Sequence, residues 1–274
     1  MITKTLCAVT AAGALAVSTL SAQAILFQDD FSSTGLGGAG DNWNVYRNSP
    51  FDSNRLIEVI DTNSETLFGQ ANNNYLRWFM SSASSTSGSL WITANNRFAD
   101  GGSSVVTVEF DFYVPTGAND SPRVRLGIND PIASNNNRVP GEIRFGQGGD
   151  GAISGVTGVY TPDTAHRIRI VYNHSSADVA YANRTVFSSS YDVWIDGTYS
   201  FSSNPNLPMT NASSPILDTP ITSIGFGGFT GSEGEMFIDN MVVYSGAIPE
   251  PSTYALIGGL AVLGVALFWR RRRS

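Results

Sequence analysis

The sequence predicts an all-β protein, built as an antiparallel β-sandwich and followed by a single C-terminal transmembrane helix. Short runs in which apolar and polar residues alternate recur along most of the chain, and Gly, Asn, Ser and Pro bound these runs. Helical periodicity is nearly absent. Charged residues make up only 14% of the 274 residues, and 28 residues are glycine. This composition is typical of an exported β protein and excludes a charge-rich disordered chain.

The alternating runs give eleven predicted strands. They are Leu56–Ile60, Tyr75–Met80, Ser89–Thr93, Val105–Val114, Arg123–Ile128, Glu142–Phe145, Arg167–Tyr172, Tyr191–Ile195, Thr198–Ser202, Ile221–Phe226 and Met236–Tyr244. Arg123–Leu126 and Arg167–Ile170 place arginine on one face and aliphatic residues on the other, as expected for a sheet with one solvated face. The Asp196-Gly197 pair predicts a type I′ hairpin turn, because both residue types accept positive φ angles. Residues 25–247 are predicted to form a single domain.

Residues 1–24 are predicted to be a secretory signal peptide. Lys4 precedes the apolar stretch Leu6–Leu20, and Ser21–Ala24 supplies the small residues of a cleavage site after Ala24. The expected partners of this segment are the Sec machinery and signal peptidase. Cys7 lies inside the segment, so the exported form has no cysteine, which excludes disulfides, Cys-ligated zinc and thiol chemistry.

Residues 248–274 combine three elements in a fixed order. A Pro249-Glu250-Pro251 triplet comes first, an apolar run of 15 residues from Ala255 to Trp269 follows, and Arg270, Arg271, Arg272 and Arg273 come last. Tyr254 and Trp269 stand where interfacial aromatic residues belong, and the arginines are expected to remain cytoplasmic. The run is shorter than the ~20 residues of a full membrane span, which suits a temporary anchor.

These elements closely resemble the PEP-CTERM sorting domain of Gram-negative bacteria that make extracellular polysaccharide. The resemblance implies that exosortase, a membrane-embedded enzyme similar to cysteine transpeptidases, recognises Pro249, Glu250 and Pro251 and removes the tail nearby. It assigns Tyr254–Trp269 to the membrane helix and Arg270–Arg273 to the cytoplasmic stop. The protein is then expected to be anchored transiently in the inner membrane and afterwards to reach the cell surface or the exterior. A permanent C-terminal anchor is the alternative, and it would leave the triplet unexplained.

Removing both end segments leaves an acidic body. Without Lys4, Arg270–Arg273 and Glu250, 11 basic and 22 acidic residues remain, so the net charge falls from −7 to about −11. No lysine is left in this body. An acidic, lysine-free domain is poorly suited to nucleic acid, and no nucleic-acid partner is expected.

The order of the strands also resembles the concanavalin A-like, laminin-G-like jelly-roll superfamily. The matching pieces are Phe27–Phe31, the Trp194–Gly197 hairpin and Met236–Val243 in the closing strand. The resemblance implies an antiparallel jelly-roll sandwich and, as in many binding modules of that fold, a structural calcium between the first and last strands. Asp30 and Asp239, with Asp29 as an alternate, occupy the matching places for calcium ligands. The alternative is that these aspartates are ordinary surface residues.

One strand resembles the acidic strand of jelly-roll glycosidases. Alternation places Glu109 and Asp111 on one face, but Tyr113 and Val114 stand where the second catalytic carboxylate belongs. A retaining mechanism has no acid without that carboxylate. Glu109 and Asp111 are therefore expected to be outer-face residues of a central strand, and no catalytic residue is assigned.

Histidines and tryptophans give weaker signals. His166 and His174 flank one predicted strand, and with no acidic partner in register they are expected to be surface histidines at strand ends rather than metal ligands. Most tryptophans lie in alternating strands and are expected in the core. Trp43, between Asn42 and Asn44, is the least committed to the core.

Three functions from different classes remain open. The favoured one is an exported, non-enzymatic surface or matrix protein that is sorted by exosortase and associated with extracellular polysaccharide, because it requires only the specific sequence features. A lectin similar to a carbohydrate-binding module would need an exposed aromatic strip on one sheet. A glycosidase-like hydrolase would need two carboxylates about 5 to 9.5 Å apart in a cleft.

Overall fold

Two antiparallel sheets pack face to face in the computed structural model, which describes residues 23–32, 36, 42–47, 55–61, 67–69, 74–81, 89–117, 122–129, 141–181, 183–203, 216–229 and 232–248. The strands are β1 Ile25–Asp29, β2 Asn44–Arg47, β3 Arg55–Asp61, β4 Asn74–Met80, β5 Leu90–Ala94, β6 Val105–Tyr113, β7 Arg123–Gly127, β8 Gly141–Arg144, β9 Ala165–Asn173, β10 Val179–Tyr181, β11 Arg184–Val186, β12 Ser190–Ile195, β13 Thr198–Ser202, β14 Ser223–Gly228 and β15 Gly234–Ser245. The predicted all-β, antiparallel jelly-roll sandwich is confirmed.

The chain crosses between the two sheets several times. The larger sheet has eight strands in the order β13-β12-β9-β6-β15-β4-β3, with β1 pairing beside the second half of β15. The smaller sheet has five strands in the order β2-β5-β14-β7-β8. A separate hairpin, β10-β11, covers an outer patch around Trp194. The first strand therefore lies against the last, and both border the centre of the larger sheet.

The core lies between the sheets and is rich in aromatic rings. Val106, Val108, Phe110 and Phe112 alternate along β6 and are fully buried. Phe110 meets Phe226 of the smaller sheet at a ring-centroid distance of 5.4 Å, edge to face. Such edge-to-face contacts are favourable beyond simple burial of apolar area, and this one joins the two sheets at their centres.

Each of the eleven predicted strands corresponds to an observed strand, with shifts of a residue or two at the ends. The predicted type I′ turn is also confirmed, because Asp196 and Gly197 have φ angles of 51° and 75° and join β12 to β13. Four observed strands, β1, β2, β10 and β11, are not among the eleven, although β1 overlaps the Phe27–Phe31 segment of the jelly-roll resemblance. β10 and β11 have three residues each, too few to show alternation, and β2 is largely polar.

The outward positions of the arginine-bearing strands are confirmed, but their expected contact with water is not. The side chains of Arg123, Arg125 and Arg169 are only 11%, 12% and 13% exposed. Each contacts a glutamate on the neighbouring strand, Glu142 for the first two and Glu109 for the third. Ion pairs, rather than solvent, therefore surround most of these guanidinium groups.

Both predicted end segments fall mainly outside the described residues. The signal peptide is described only at residues 23 and 24, and the tail only at residue 248. Pro249, Glu250, Pro251, the predicted membrane helix Tyr254–Trp269 and the Arg270–Arg273 stop all lie outside the described ranges. Within those ranges, no helix has the length and apolar character needed to cross a membrane.

Candidate functional site

An open cleft of about 600 Å³ lies where β1 ends against β15, on the outer face of the larger sheet. We call it the polar cleft. It is lined by Gln28, Asp29, Asp30, Asn42, Asp111, Arg167, Asn240, Met241 and Val242. Seven of these nine residues are polar or charged, so the cleft can offer hydrogen bonds in many directions. Its volume falls within the ordinary range of ligand sites in proteins.

A β-bulge in β15 shapes the cleft floor. The pairing of β15 with β6 shifts register between Asp239 and Val242, and Asn240 has a φ angle of 49°. Asparagine tolerates this left-handed conformation better than most residues, and a bulge redirects the side chain at its apex. The Asn240 amide Nδ2 donates to Asp111 Oδ2 at 2.8 Å and to Asp239 Oδ2 at 3.1 Å. Asn240 thus links the two facing aspartates of β6 and β15.

Asp29 holds the chain in place as it leaves β1. Its Oδ1 accepts a hydrogen bond from the Phe31 amide at 2.7 Å, and its Oδ2 accepts one from Trp43 Nε1 at 2.9 Å. Asn42 Nδ2 donates to the same Oδ2 at 3.2 Å. Phe31 has a φ angle of 56°, an uncommon conformation for an aromatic residue. The carboxylate of Asp29 therefore ties the cleft wall to the buried Trp43 indole.

A row of ion pairs crosses the other side of the cleft. Arg167 donates through Nη1 to Asp111 Oδ1 at 3.0 Å and through Nη2 to Glu109 Oε2 at 2.8 Å. Arg169 Nε donates to Glu109 Oε1 at 2.6 Å. Burial lowers the pKa of Arg167, but the hydrogen bonds and charges of Glu109 and Asp111 outweigh it and raise this pKa above its ordinary value. Arg167 therefore contacts both carboxylates of β6 at once.

Of the predicted calcium ligands, Asp30 lines the polar cleft and Asp239 lies behind its lining residue Asn240, and the two carboxylates have different hydrogen-bond partners. Asp30 is exposed, and hydrogen bonds from the Ser32 hydroxyl and amide to its Oδ1 lower the pKa of Asp30. Asp239 is fully buried rather than a surface residue, and its Oδ1 accepts from the Asn240 amide at 2.7 Å. The described ranges contain no group of three His, Cys, Asp or Glu side chains placed to hold a metal. Calcium binding by Asp30 and Asp239 stays a prediction from sequence.

The acidic strand lies where the non-catalytic interpretation places it. β6 is a central strand of the larger sheet, and Glu109 and Asp111 point to its outer face. Arg167 bridges them, so each carboxylate already has a cationic partner.

The expectation of two surface histidines is wrong. His174 is 1% exposed, and the His166 side chain is 10% exposed, with its Nδ1 2.7 Å from Asp196 Oδ2. They stand at opposite ends of β9, and eight residues of strand separate them by about 26 Å. They cannot share a metal ion.

Trp43 is also placed differently from the expectation. It is fully buried, whereas Tyr46 three residues later is 46% exposed. Trp78 and Trp91 are fully buried and Trp194 is 5% exposed, as predicted for the core. The sequence did not single out Gln28, Asn42, Arg167 or Asn240 as site residues.

The burial of His174 predicts a pH dependence of stability. Burial lowers the pKa of His174 despite opposing contributions from the Ile216 carbonyl and the Asp218 carboxylate. The unfolded chain therefore takes up this proton first as pH falls below about 6.5, and stability is lost by at most about 1.4 kcal/mol per pH unit. Urea unfolding at pH 7.5 and 5.5 should show this loss, and His174→Gln should reduce it. His166→Gln is the control, and an equal loss in the wild type and His174→Gln would contradict the assignment.

The last described residues lead directly into the tail. The Thr107 hydroxyl of β6 donates a hydrogen bond to the Gly246 carbonyl and accepts one from the Ile248 backbone amide. The body therefore ends beside its central strands. Residues 247–273 match the model of the PEP-CTERM protein-sorting motif. The chain carries a PEP-CTERM sorting motif. This motif indicates an exported, membrane-processed protein that ends at the cell surface or outside the cell, and it supports exosortase as a partner.

Comparison with solved structures finds proteins of similar architecture at low sequence identity. The cellulose-induced protein Cip1 is 11% identical, with a TM-score of 0.47, over 81% of this chain and 99% of that one. A family 11 carbohydrate-binding module from Clostridium thermocellum is 14% identical, with a TM-score of 0.34, over 84% and 100%. The alginate lyase vAL-1 from Chlorella virus is 14% identical, with a TM-score of 0.40, over 74% and 93%. Comparison with curated proteins finds no match to the sequence.

Proposed function

We propose that the protein, exported and freed of its PEP-CTERM tail by exosortase, is a non-enzymatic surface or matrix protein that binds extracellular polysaccharide in the polar cleft. The observation that carries this proposal is the lining of the cleft. Planar amide, carboxylate and guanidinium groups converge there and together supply the donors and acceptors that sugar hydroxyls need.

Several of these groups keep hydrogen-bonding capacity for a ligand. Asp30 uses only Oδ1 for its two bonds to Ser32, which leaves Oδ2 without a partner among the described residues. The Gln28 and Asn42 side chains are exposed, and the Arg167 side chain is 45% exposed. Val242 adds an apolar edge against which the C–H face of a sugar ring can pack. The cleft therefore suits a neutral polysaccharide, bound through its hydroxyls.

The ion-paired state of the carboxylates supports the non-enzymatic part of the proposal. Glu109 is 8% exposed at its side chain and accepts from both Arg167 and Arg169. The two acidic residues that resemble a glycosidase strand thus have a structural role in the larger sheet.

A specific lectin is the second candidate, and the exposed Tyr46 of the smaller sheet favours it, because an exposed ring can stack on a sugar.

Binding should be measured by calorimetry, with the mature protein and neutral polysaccharide purified from an exosortase-bearing host. Replacing both Gln28 and Asn42 by alanine is expected to weaken binding by about tenfold, because each lost hydrogen bond contributes roughly 0.5–1.5 kcal/mol. Both side chains are exposed, and the Asp29 carboxylate that Asn42 contacts keeps its Phe31 and Trp43 donors, so the fold should be retained. Asn183→Ala, at an exposed turn of the β10-β11 hairpin, is the matched control. Unchanged affinity in the double variant would contradict the cleft as the site, and release of reducing sugar ends would contradict the non-enzymatic role.

A further inference from the structure

Three arginines gather around one glutamate on the outer face of the smaller sheet. β7 pairs with β8 so that Arg123 faces Arg144 and Arg125 faces Glu142. We call Arg123, Arg125, Glu142 and Arg144 the arginine face. The body as a whole has twice as many acidic as basic residues. A local excess of cations is therefore unusual in this protein.

Glu142 is a shared acceptor for all three guanidinium groups. Its Oε2 accepts from Arg125 Nε at 2.5 Å, and its Oε1 accepts from Arg144 Nε and, at 3.4 Å, from Arg123 Nη1. Burial raises the pKa of Glu142, but the three arginine charges outweigh it and the pKa lies below its ordinary value. Burial also lowers the pKa of Arg125, and Arg123 and Arg144 add to that decrease. The Glu142 carboxylate is thus the shared counter-charge of three guanidinium groups.

Arg144 is the part of this face that is open to a ligand. It contacts Glu142 only through Nε, and neither of its Nη groups has a partner in the part of the chain that the structure describes. Its side chain is 23% exposed, about twice the exposure of Arg123 or Arg125. Two parallel N–H donors on a planar guanidinium match the two oxygens of a carboxylate.

Neighbouring residues hold the arginines in position. The Arg125 guanidinium lies 4.4 Å from the Phe229 ring centroid and 5.0 Å from that of Trp91. Gly227 lies between Trp91 and Arg123 in the cross-strand row, and a Cβ there would come within 2.6 Å of the Trp91 ring. Glycine is therefore required at this position, and the arginine and tryptophan side chains share the space above it. Fixed donors lose less entropy when a ligand binds.

The same cross-strand row ends at an exposed aromatic ring. Tyr46 on β2 pairs with Trp91 on β5, and the row continues through Gly227 and Arg123 to Arg144 on β8. Four strand spacings place Tyr46 and Arg144 about 19 Å apart. A polymer lying across the strands can therefore stack a ring on Tyr46 and reach Arg144 at the other end.

We infer that the arginine face binds the carboxylate groups of an acidic polysaccharide, with Arg144 as the direct ligand and Tyr46 as a stacking residue. This inference rests on the proposed polysaccharide association and adds a second site and a charge class to it. A polyuronate carries its charges one per sugar ring, which a single open arginine and a ring-stacking residue can match. Nucleic acid carries a denser charge, which one open arginine does not match.

The test compares polygalacturonate with its methyl-esterified form, which has the same backbone without the charge. With EDTA present throughout to prevent calcium bridging, the mature protein should bind polygalacturonate at least tenfold more tightly than the ester. Arg144→Gln should remove this preference and leave cleft binding of neutral polysaccharide unchanged. Arg77→Gln, an arginine on the outer face of the larger sheet, is the matched control.

Several outcomes would overturn this inference. Equal binding of the acid and the ester, or full binding of polygalacturonate by Arg144→Gln, would show that Arg144 does not recognise carboxylates. Equally tight binding of dextran sulfate would overturn the preference for carboxylate. If neutral polysaccharide binds in the cleft and polygalacturonate does not bind, only this inference fails. If neither binds, the proposed function fails as well.

Discussion

Glu142→Gln is expected to destabilise the protein by about 3–5 kcal/mol, because it removes the shared counter-charge of three clustered arginines. The Glu142 side chain is 5% exposed, so water cannot replace the lost carboxylate. The pKa of Glu142 lies below its ordinary value, so protonating this group in acid should also destabilise the protein. Its contribution is complete above the unfolded pKa of about 4.3 and is lost as pH falls through the lower folded value. Urea denaturation at pH 7 measures the loss directly.

Glu58→Gln is the matched control for this experiment. Glu58 pairs with Arg77 at 2.9 Å, but its side chain is 39% exposed and Arg77 keeps its second partner, Glu235. An exposed pair of this kind contributes up to about 1 kcal/mol. A loss of similar size in both variants would contradict the view that Glu142 neutralises a buried cluster.

Trp43→Ala is expected to cost about 3–5 kcal/mol, as for other fully buried large aromatic residues. The Trp43 ring lies 5.4 Å from Phe27, 5.8 Å from Phe31 and 5.9 Å from Phe226, measured between centroids. The alanine variant would leave a large cavity and would also leave Asp29 Oδ2 without its indole donor. The free energy of unfolding in urea is the appropriate measurement.

Two further variants separate packing from hydrogen bonding at Trp43. Trp43→Phe keeps a ring but loses the bond to Asp29, so it should cost less than the alanine variant. The lost hydrogen bond to a carboxylate should account for about 1.5–3 kcal/mol, since Asp29 Oδ2 keeps its Asn42 donor. Tyr46→Ala, at a residue 46% exposed, is the control and should change stability little. Equal losses in Trp43→Ala and Tyr46→Ala would contradict the buried position of Trp43.

The fold was predictable because strand alternation depends mainly on local sequence. Met236 and Ile238 point inward, and after the bulge Met241 and Val243 point inward. The burial pattern therefore changes from even to odd positions at the bulge, Asp239–Asn240, and this change appears only in the structure because apolar residues stand at both parities in the sequence.

The cleft and the arginine face depend on contacts between distant residues, which alternation does not reveal. Asp29 meets Trp43 fourteen residues away, and this bond draws an Asn-flanked tryptophan into the core. Arg125 and Glu142 meet only through the register of β7 and β8. Alternation correctly predicted that Arg125 points outward. The expectation that water surrounds its side chain was wrong, because Glu142 faces it on the neighbouring strand. The pairing register of two strands decides which charged side chains meet across a sheet. The sequence of a single strand does not specify that register.

In the proposed function, exosortase removes the PEP-CTERM tail and the protein reaches extracellular polysaccharide without it. The most direct measurement is the C-terminal mass and the location of the protein in an exosortase-bearing host, for the wild type and for a variant with Pro249, Glu250 and Pro251 replaced by alanine. The wild type should lack its tail and be recovered in the polysaccharide matrix, and the variant should keep its tail and stay with the membranes. Identical tails and locations in the two proteins would contradict the account, as would a processed wild type that washes freely from the matrix.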